Sequence, residues 1–306
     1  MATAASEPSG THAGGVSMAT AALPAAATAT VSPGAAFAAA FAAHGERTEV
    51  TYDYTITDAH KPDRPKPRLT VRRLLKRCRA EDEVTSFWCE RSPLPQQAAA
   101  VAESGLRREA AFRPGVDQAR VYPVRAWLQI PGELTASPEE LAAFIDHRLL
   151  VRLATAENQA LTIGPHGLLH HPGIARLTYT GEFAGAILAA CDEIEQVGST
   201  AHALIVNPAD YYRRLVGRGS LLADLAEGGT LISRTRMIPP GQALAGDFAE
   251  AVRLLDAGRS VIRVAEPPPG TFAGPGLAVC GEVYEGLAVH LPTNLFLAVP
   301  ADPPTA

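Results

Sequence analysis

The chain has 306 residues, of which 47% are hydrophobic and 19% charged. That is enough apolar material for a packed core and excludes a wholly disordered chain. The formal net charge of -5 weighs against a dedicated nucleic-acid binder, whose domains are usually basic. No stretch of about 18 apolar residues runs uninterrupted, as a bilayer span requires. Cys78, Cys89, Cys191 and Cys280 form no CxxC pair, which argues against a disulfide scaffold, a zinc ribbon or a thioredoxin-type site and for a reducing, cytoplasmic setting.

The first 45 residues are Ala, Thr, Ser, Gly and Pro almost throughout, with no basic residue before Arg47. Neither a secretory signal nor a transit peptide fits that charge pattern. Small side chains bury too little area to offset chain entropy, so a flexible arm is expected over residues 1–50. Within it, Ala35 to Ala43, with Phe37 and Phe41 four apart, suits one short helix against a partner surface.

Thr48 to Thr57 alternates as a strand, and a Pro- and Lys-rich linker follows from Lys61 to Pro67. In Leu69 to Arg79 the residues Val71, Leu74, Leu75 and Cys78 fall at i, i+3, i+4 and i+7, which predicts an amphipathic helix. Its polar side carries Arg72, Arg73, Lys76, Arg77 and Arg79. That face suits an acidic partner or a phosphate, or else a solvated or subunit-facing surface.

Glu83 to Ile130 reads as strands and turns, and Tyr122 to Ile130 alternates as a strand with one buried face. Ser137, Pro138 and Glu140 form the start of a long helix that runs to about Leu161. A second helix spans about Glu182 to Val197 and stops at Gly198. Ala203 to Val206 is a short strand, after which Asn207-Pro208 caps a helix over Ala209 to Val216. Further strands are expected near 231–238, 260–264, 277–290 and 294–299. Ala249 to Asp256 has helical spacing, with Asp247 as a cap, in a place where a strand is also expected. Helices and strands intermix without a regular βαβ rhythm, so the fold class is α+β.

The chemistry search is empty. There is no GxSxG, Walker A, HExxH or GxGxxG pattern. His166, His170 and His171 have ligand-like spacing, but Gly164, Pro165, Gly167 and Pro172 break any helix there, and a solvated loop is the better reading. Asp192, Glu193 and Glu195 follow the polar side of their helix. No catalytic residue, cofactor or metal is assigned.

Three stretches, in order, resemble tailed-phage major capsid proteins of the Hong Kong 97 type and encapsulins. The first combines Glu103-Ser104-Gly105 through Phe112, Val121 to Trp127, Phe144-Ile145-Asp146-His147-Arg148-Leu149 and Glu157 to Leu161. It is similar to that family's extension loop and spine helix. The second, Ala203 to Pro208 with Tyr211, is similar to the family's "V-l-N-P" segment. The third, Glu282 to Pro292 with Leu295 to Val299, is similar to its returning strands. Gly246-Asp247-Phe248 resembles a family motif before a strand, and on that ground a strand is expected there.

The resemblance implies an extension loop at 83–130, after a strand and basic helix at 51–82. It further implies a peripheral domain with the spine helix at 131–177, an axial domain at 178–270, returning strands at 271–300 and a tail at 301–306. It implies a shell subunit, not an enzyme, whose partners are about 60 copies of itself and an encapsulated cargo protein, without membrane or specific nucleic acid. Encapsulin is the leading reading and phage capsid protein the second. A soluble enzyme or binding domain with an unrecognised site is the third. The resemblance places a five-fold pore loop at Val216, Gly217, Arg218, Gly219 and Ser220. Cargo or subunit contact falls to Arg72, Arg73, Lys76 and Arg77. The lysine–asparagine crosslink of some phage shells is ruled out in the loop, because no lysine follows Lys76.

Overall fold

The computed structural model describes residues 31–52, 70–91, 113–217, 219–272 and 276–301. The linker 61–67 and the acidic turn at 103–105 lie outside these, as does Arg218.

The order of elements begins with helix α1 (Pro33–His44) and strand β1 (Glu49–Tyr52). Strands β2 (Lys76–Arg79), β3 (Val84–Arg91), β4 (Arg113–Arg120) and β5 (Tyr122–Ile130) follow. Helix α2 runs through Pro138–Phe144, a wider π turn at Ile145–Leu149, and Leu150–Ile163. Ser137 caps it, accepting from the Glu140 N–H at 3.4 Å. The five-residue turn helps set Ile145, Leu149, Leu150 and Leu153 in one buried row.

Strand β6 (Ala175–Tyr179), helix α3 (Phe183–Gln196), strand β7 (Ala203–Val206), helix α4 (Leu221–Glu227) and strands β8 (Leu231–Arg234) and β9 (Ala243–Gly246) form the next block. Two long strands, β10 (Val252–Val264) and β11 (Leu277–Val289), and the shorter β12 (Leu295–Pro300) complete the fold. The competition at Asp247 resolves both ways. Its carboxylate caps a single helical turn, Phe248–Ala251, and the strand β10 starts at once.

The larger sheet has the order β1-β10-β11-β5, with β2 beside β10 as well. β1 pairs with the far half of β10 and β2 with the near half, on either side of an irregularity between Asp256 and Ser260. Helix α2 covers one face, where its buried row meets Val124, Leu128, Ile130, Ile262, Val279 and Val283. The smaller sheet has the order β6-β12-β9-β7-β8. Helix α3 covers one face through Phe183, Ile187 and Ile194 against Leu204 and Val206. Alternate residues, Ala203 and Ile205, point the other way into a core shared with Val71, Leu74, Phe248 and Leu254. That core joins the two sheets.

Two sequence expectations are corrected here. The segment 33–50 of the supposed flexible arm is a capped helix and a paired strand. Helix α1 also packs on its own chain's α2, with Phe37 fully buried, rather than on a partner. The approach is close: the Gly34 N–H donates to Asp146 Oδ1 at 2.7 Å, and a Cβ at Gly34 would lie 2.2 Å from the Ala142 carbonyl oxygen. The second correction is at Leu69 to Arg79, where the described residues, 70–79, form no α-helix. A 3-10 turn, Val71–Leu74, is followed by the strand β2, whose backbone pairs in parallel with Arg253 to Asp256 of β10. Tertiary pairing overrides the helical spacing, and Cys78 is exposed, not inward.

Candidate assembly surfaces

The basic residues proposed from sequence as one contact face are separated. The Arg72 side chain is only 9% exposed. Its guanidinium donates to Glu157 of α2 at 2.7 Å and to Asp256 of β10 at 2.8 Å, and it also pairs with Glu285 of β11. Burial works against its charge, but Glu157 and Asp256 raise its pKa overall. Tyr52 stands nearby, its hydroxyl pKa raised by burial and then by Glu157. Next to this cluster Asn158 Oδ1 accepts from the Val71 N–H at 3.0 Å. Arg72 is therefore a structural tie between the turn, α2 and the larger sheet. Arg77 reaches the same Asp256 at 2.9 Å from the surface, and Lys76 pairs with Glu250. Arg73 is exposed.

Strands β3 and β4 form a separate two-stranded hairpin. Cys89 and Ala119 are buried on its inner side, and Phe87 packs against a small core of Ala80, Ala119, Val121, Leu255 and Ala288. On the outer side Trp88 and Val116 are directly opposed across the strands and are 58% and 69% exposed. This exposed apolar pair on a sheet face is a candidate contact surface.

The three histidines meet the hairpin. A groove of about 370 Å³ runs between it and the loop 165–172, lined in part by Asp117, Arg120, Tyr122, His166, His170 and His171. His166 stacks on Tyr122 at 4.4 Å between ring centroids. His171 Nδ1 accepts from the Gly173 N–H at 3.2 Å, and burial lowers its pKa against the pull of Asp117. Among the described residues no group of three ligating side chains could hold a metal ion.

The smaller sheet has a basic far end. β9 leads out at Gly246 and β12 enters at Leu295, and these two residues are paired, so that end faces the larger sheet. The opposite end holds the Asn207 turn. Asn207 Oδ1 accepts from the Ala209 N–H at 2.9 Å and its amide donates to the Ile238 carbonyl at 2.8 Å, which is why Asn-Pro suits this place. The expected helix after it is one α turn, Pro208–Asp210, and a π turn, Tyr211–Leu215. The Arg234 guanidinium lies 4.8 Å from the Tyr211 ring and donates to the Tyr212 hydroxyl at 2.6 Å. Arg213, Arg214 and Arg236 are exposed on the same end. The loop Val216, Gly217, Gly219 and Ser220 follows, with positive φ at Gly217 (81°) and Gly219 (59°), so the two glycines do make the turn. Acidic Asp192, Glu193 and Glu195 lie exposed at the other end of α3.

This arrangement, of a spine helix on a long-stranded sheet, a projecting hairpin and a second small sheet, has clear structural relatives. The fold is that of phage-type capsid proteins. The virus-like particle from Pyrococcus furiosus superposes with a TM-score of 0.56 at 12% identity, over 75% of this chain and 92% of that one. A structure from Mycobacterium phage Adephagia gives 0.55 at 12% identity, over 79% and 93%. The capsid of an empty GTA particle gives 0.52 at 14% identity, over 78% and 92%. No family model and no curated protein matches the sequence.

Proposed function

We propose that the chain is the shell subunit of an encapsulin, which self-assembles into a closed icosahedral compartment around a cargo protein in the cytoplasm. The observation that carries this reading is the extent of the capsid-type fold: 92% of the virus-like particle subunit is matched. The exposed Trp88–Val116 pair gives a subunit contact its apolar anchor. In this reading the hairpin belongs to an extension loop over 83–130, and residues 178–270 are the axial domain. Closed point symmetry then gives a finite shell of about 60 copies in its smallest class.

The reading also gives the loop Val216 to Ser220 a role. The basic far end of the smaller sheet would meet its copies at an axis, so that Arg213, Arg214 and Arg236, with Arg218 outside the described residues, collect anions at a pore. The test is Arg218→Glu in shells loaded with a reporter enzyme. Entry of an anionic substrate slows and that of a neutral one does not, most clearly at low salt. An equal response of both refutes charge gating.

A phage major capsid protein is the second reading, favoured by capsid matches of nearly equal quality such as that of phage G, with a TM-score of 0.54 and 10% identity. The net charge of -5 favours a shell not dedicated to packed DNA. Electron microscopy of the recombinant protein separates the two. Small uniform shells that co-purify with a protein cargo support the encapsulin, and large or heterogeneous shells support the phage capsid.

A further inference from the structure

The hairpin is seated on the body of the protein by a short polar contact, and a histidine stands at its centre. His290 follows β11 directly. Its main-chain N–H donates to the Ala251 carbonyl at 2.8 Å, which fixes it to the start of β10. Its carbonyl accepts from the Glu90 N–H of the hairpin at 2.7 Å. Its ring lies against two consecutive hairpin side chains, 5.0 Å from Phe87 and 4.9 Å from Trp88 between centroids. Its Nδ1 is buried and has no hydrogen-bond partner among the described residues.

A neutral imidazole tolerates this place, because an unprotonated Nδ1 carries only a lone pair and the apolar rings cover it. A proton added there makes a buried N–H that has no partner among the described residues, on a ring that now bears a charge. Opening the seat to water relieves both costs. Elsewhere the hairpin is held by side chains and not by a ladder: among the described residues it pairs with neither sheet, its inner side rests on the small core of Ala80, Val121, Leu255 and Ala288, and a groove of about 370 Å³ separates it from the loop 165–172.

We propose that His290 is a proton-sensitive latch: neutral, it holds the β3–β4 hairpin against the larger sheet, and on protonation it releases the hairpin. The proposal does not depend on the shell reading.

The charges facing the ring fit this direction. Burial lowers the His290 pKa, the nearby Trp88 backbone offsets part of that, and Arg253 of β10 lowers it further. Arg253 is itself held by the Ala249 carbonyl at 2.6 Å and by Glu250 at 3.4 Å. On the hairpin, burial raises the pKa of Glu90, which therefore titrates with the opposite sign. Under the hairpin's other side, His171 is lowered like His290 and is tempered by Asp117. His170, Arg120 and His166 complete that side. A histidine whose pKa falls on docking stabilises the docked state fully above its free value. That contribution is lost as pH falls below about 6.5.

The test is hydrogen exchange of the full chain at pH 7.5 and 5.5, corrected for the intrinsic rate. Protection of residues 84–91, and of the Glu90 amide above all, should fall up to about tenfold relative to β11 on acidification. In His290→Gln most of that fall should vanish. Arg253→Gln supplies a second readout, and removing the cation should move the transition to higher pH. An unchanged wild-type protection, an equal fall in His290→Gln, or an unmoved transition in Arg253→Gln overturns the proposal.

Discussion

Arg72 donates to Glu157 at 2.7 Å, and the two residues are 85 positions apart. Through that bond a short turn with no helix of its own is fastened to the long helix on the larger sheet. The other carboxylates on Arg72, from Asp256 and Glu285, bring β10 and β11 to the same point.

Breaking this cluster by removing its cation leaves buried carboxylates without compensation. Arg72→Ala should destabilise the fold by about 3–5 kcal/mol. Arg77→Ala, at a half-exposed side chain, should cost no more than about 1 kcal/mol. Chemical unfolding measures both, and equal effects would contradict the cluster's role.

Helix α1 is part of the folded body. Phe37→Ala should cost about 3–5 kcal/mol, as for other fully buried aromatic side chains. Gly34→Val should also destabilise, because the Ala142 carbonyl occupies the place of its Cβ. Thermal unfolding that left both variants at the wild-type midpoint would show that α1 is dispensable.

The outer face of the hairpin should matter for assembly and not for folding. Val116 is 69% exposed, so Val116→Glu should change subunit stability by about 0.5 kcal/mol or less. The same change should lower the assembled fraction at least about tenfold, since a charge would replace apolar area in a buried contact. Sedimentation of refolded protein reads the assembled fraction, and normal assembly of the variant would remove this face from the contact.

Glu282 supplies an acid-side dependence of stability. Burial pushes its carboxyl pKa up, but Arg125 and Arg263 more than offset that and hold it below the ordinary value. Its contribution is thus present above the usual carboxylate range and lost as pH falls through the lower folded value. Because Arg125 and Arg263 are partly exposed, the effect should be about 1 kcal/mol or less. Glu282→Gln should flatten the stability profile between about pH 5 and 3, and an unchanged slope would contradict the assignment.

Much of this architecture is legible in the residues. The alternation of Tyr122 to Ile130, the Ser137 cap and the Asn207-Pro208 turn all lie in local pattern, and the structure places each where that pattern puts it. Residues 69–79 mislead because Val71, Leu74 and Leu75 are buried under either reading, and the strand partner that decides lies about 180 residues away. Arg72 reads as a surface charge for the same reason: Glu157, Asp256 and Glu285 reach it only through the fold. Helix α1 is faint because alanine marks no face, and only Phe37 and Phe41 hint at one. His290 carried no signal at all, since its seat is made by the hairpin and by Ala251.

The most direct measurement is the mass of the purified assembly. About 60 copies of a 32.1 kDa chain make a particle of roughly 1.9 MDa. A narrow mass peak there, from hollow closed shells, is the predicted result. A monodisperse monomer or dimer would contradict the shell reading.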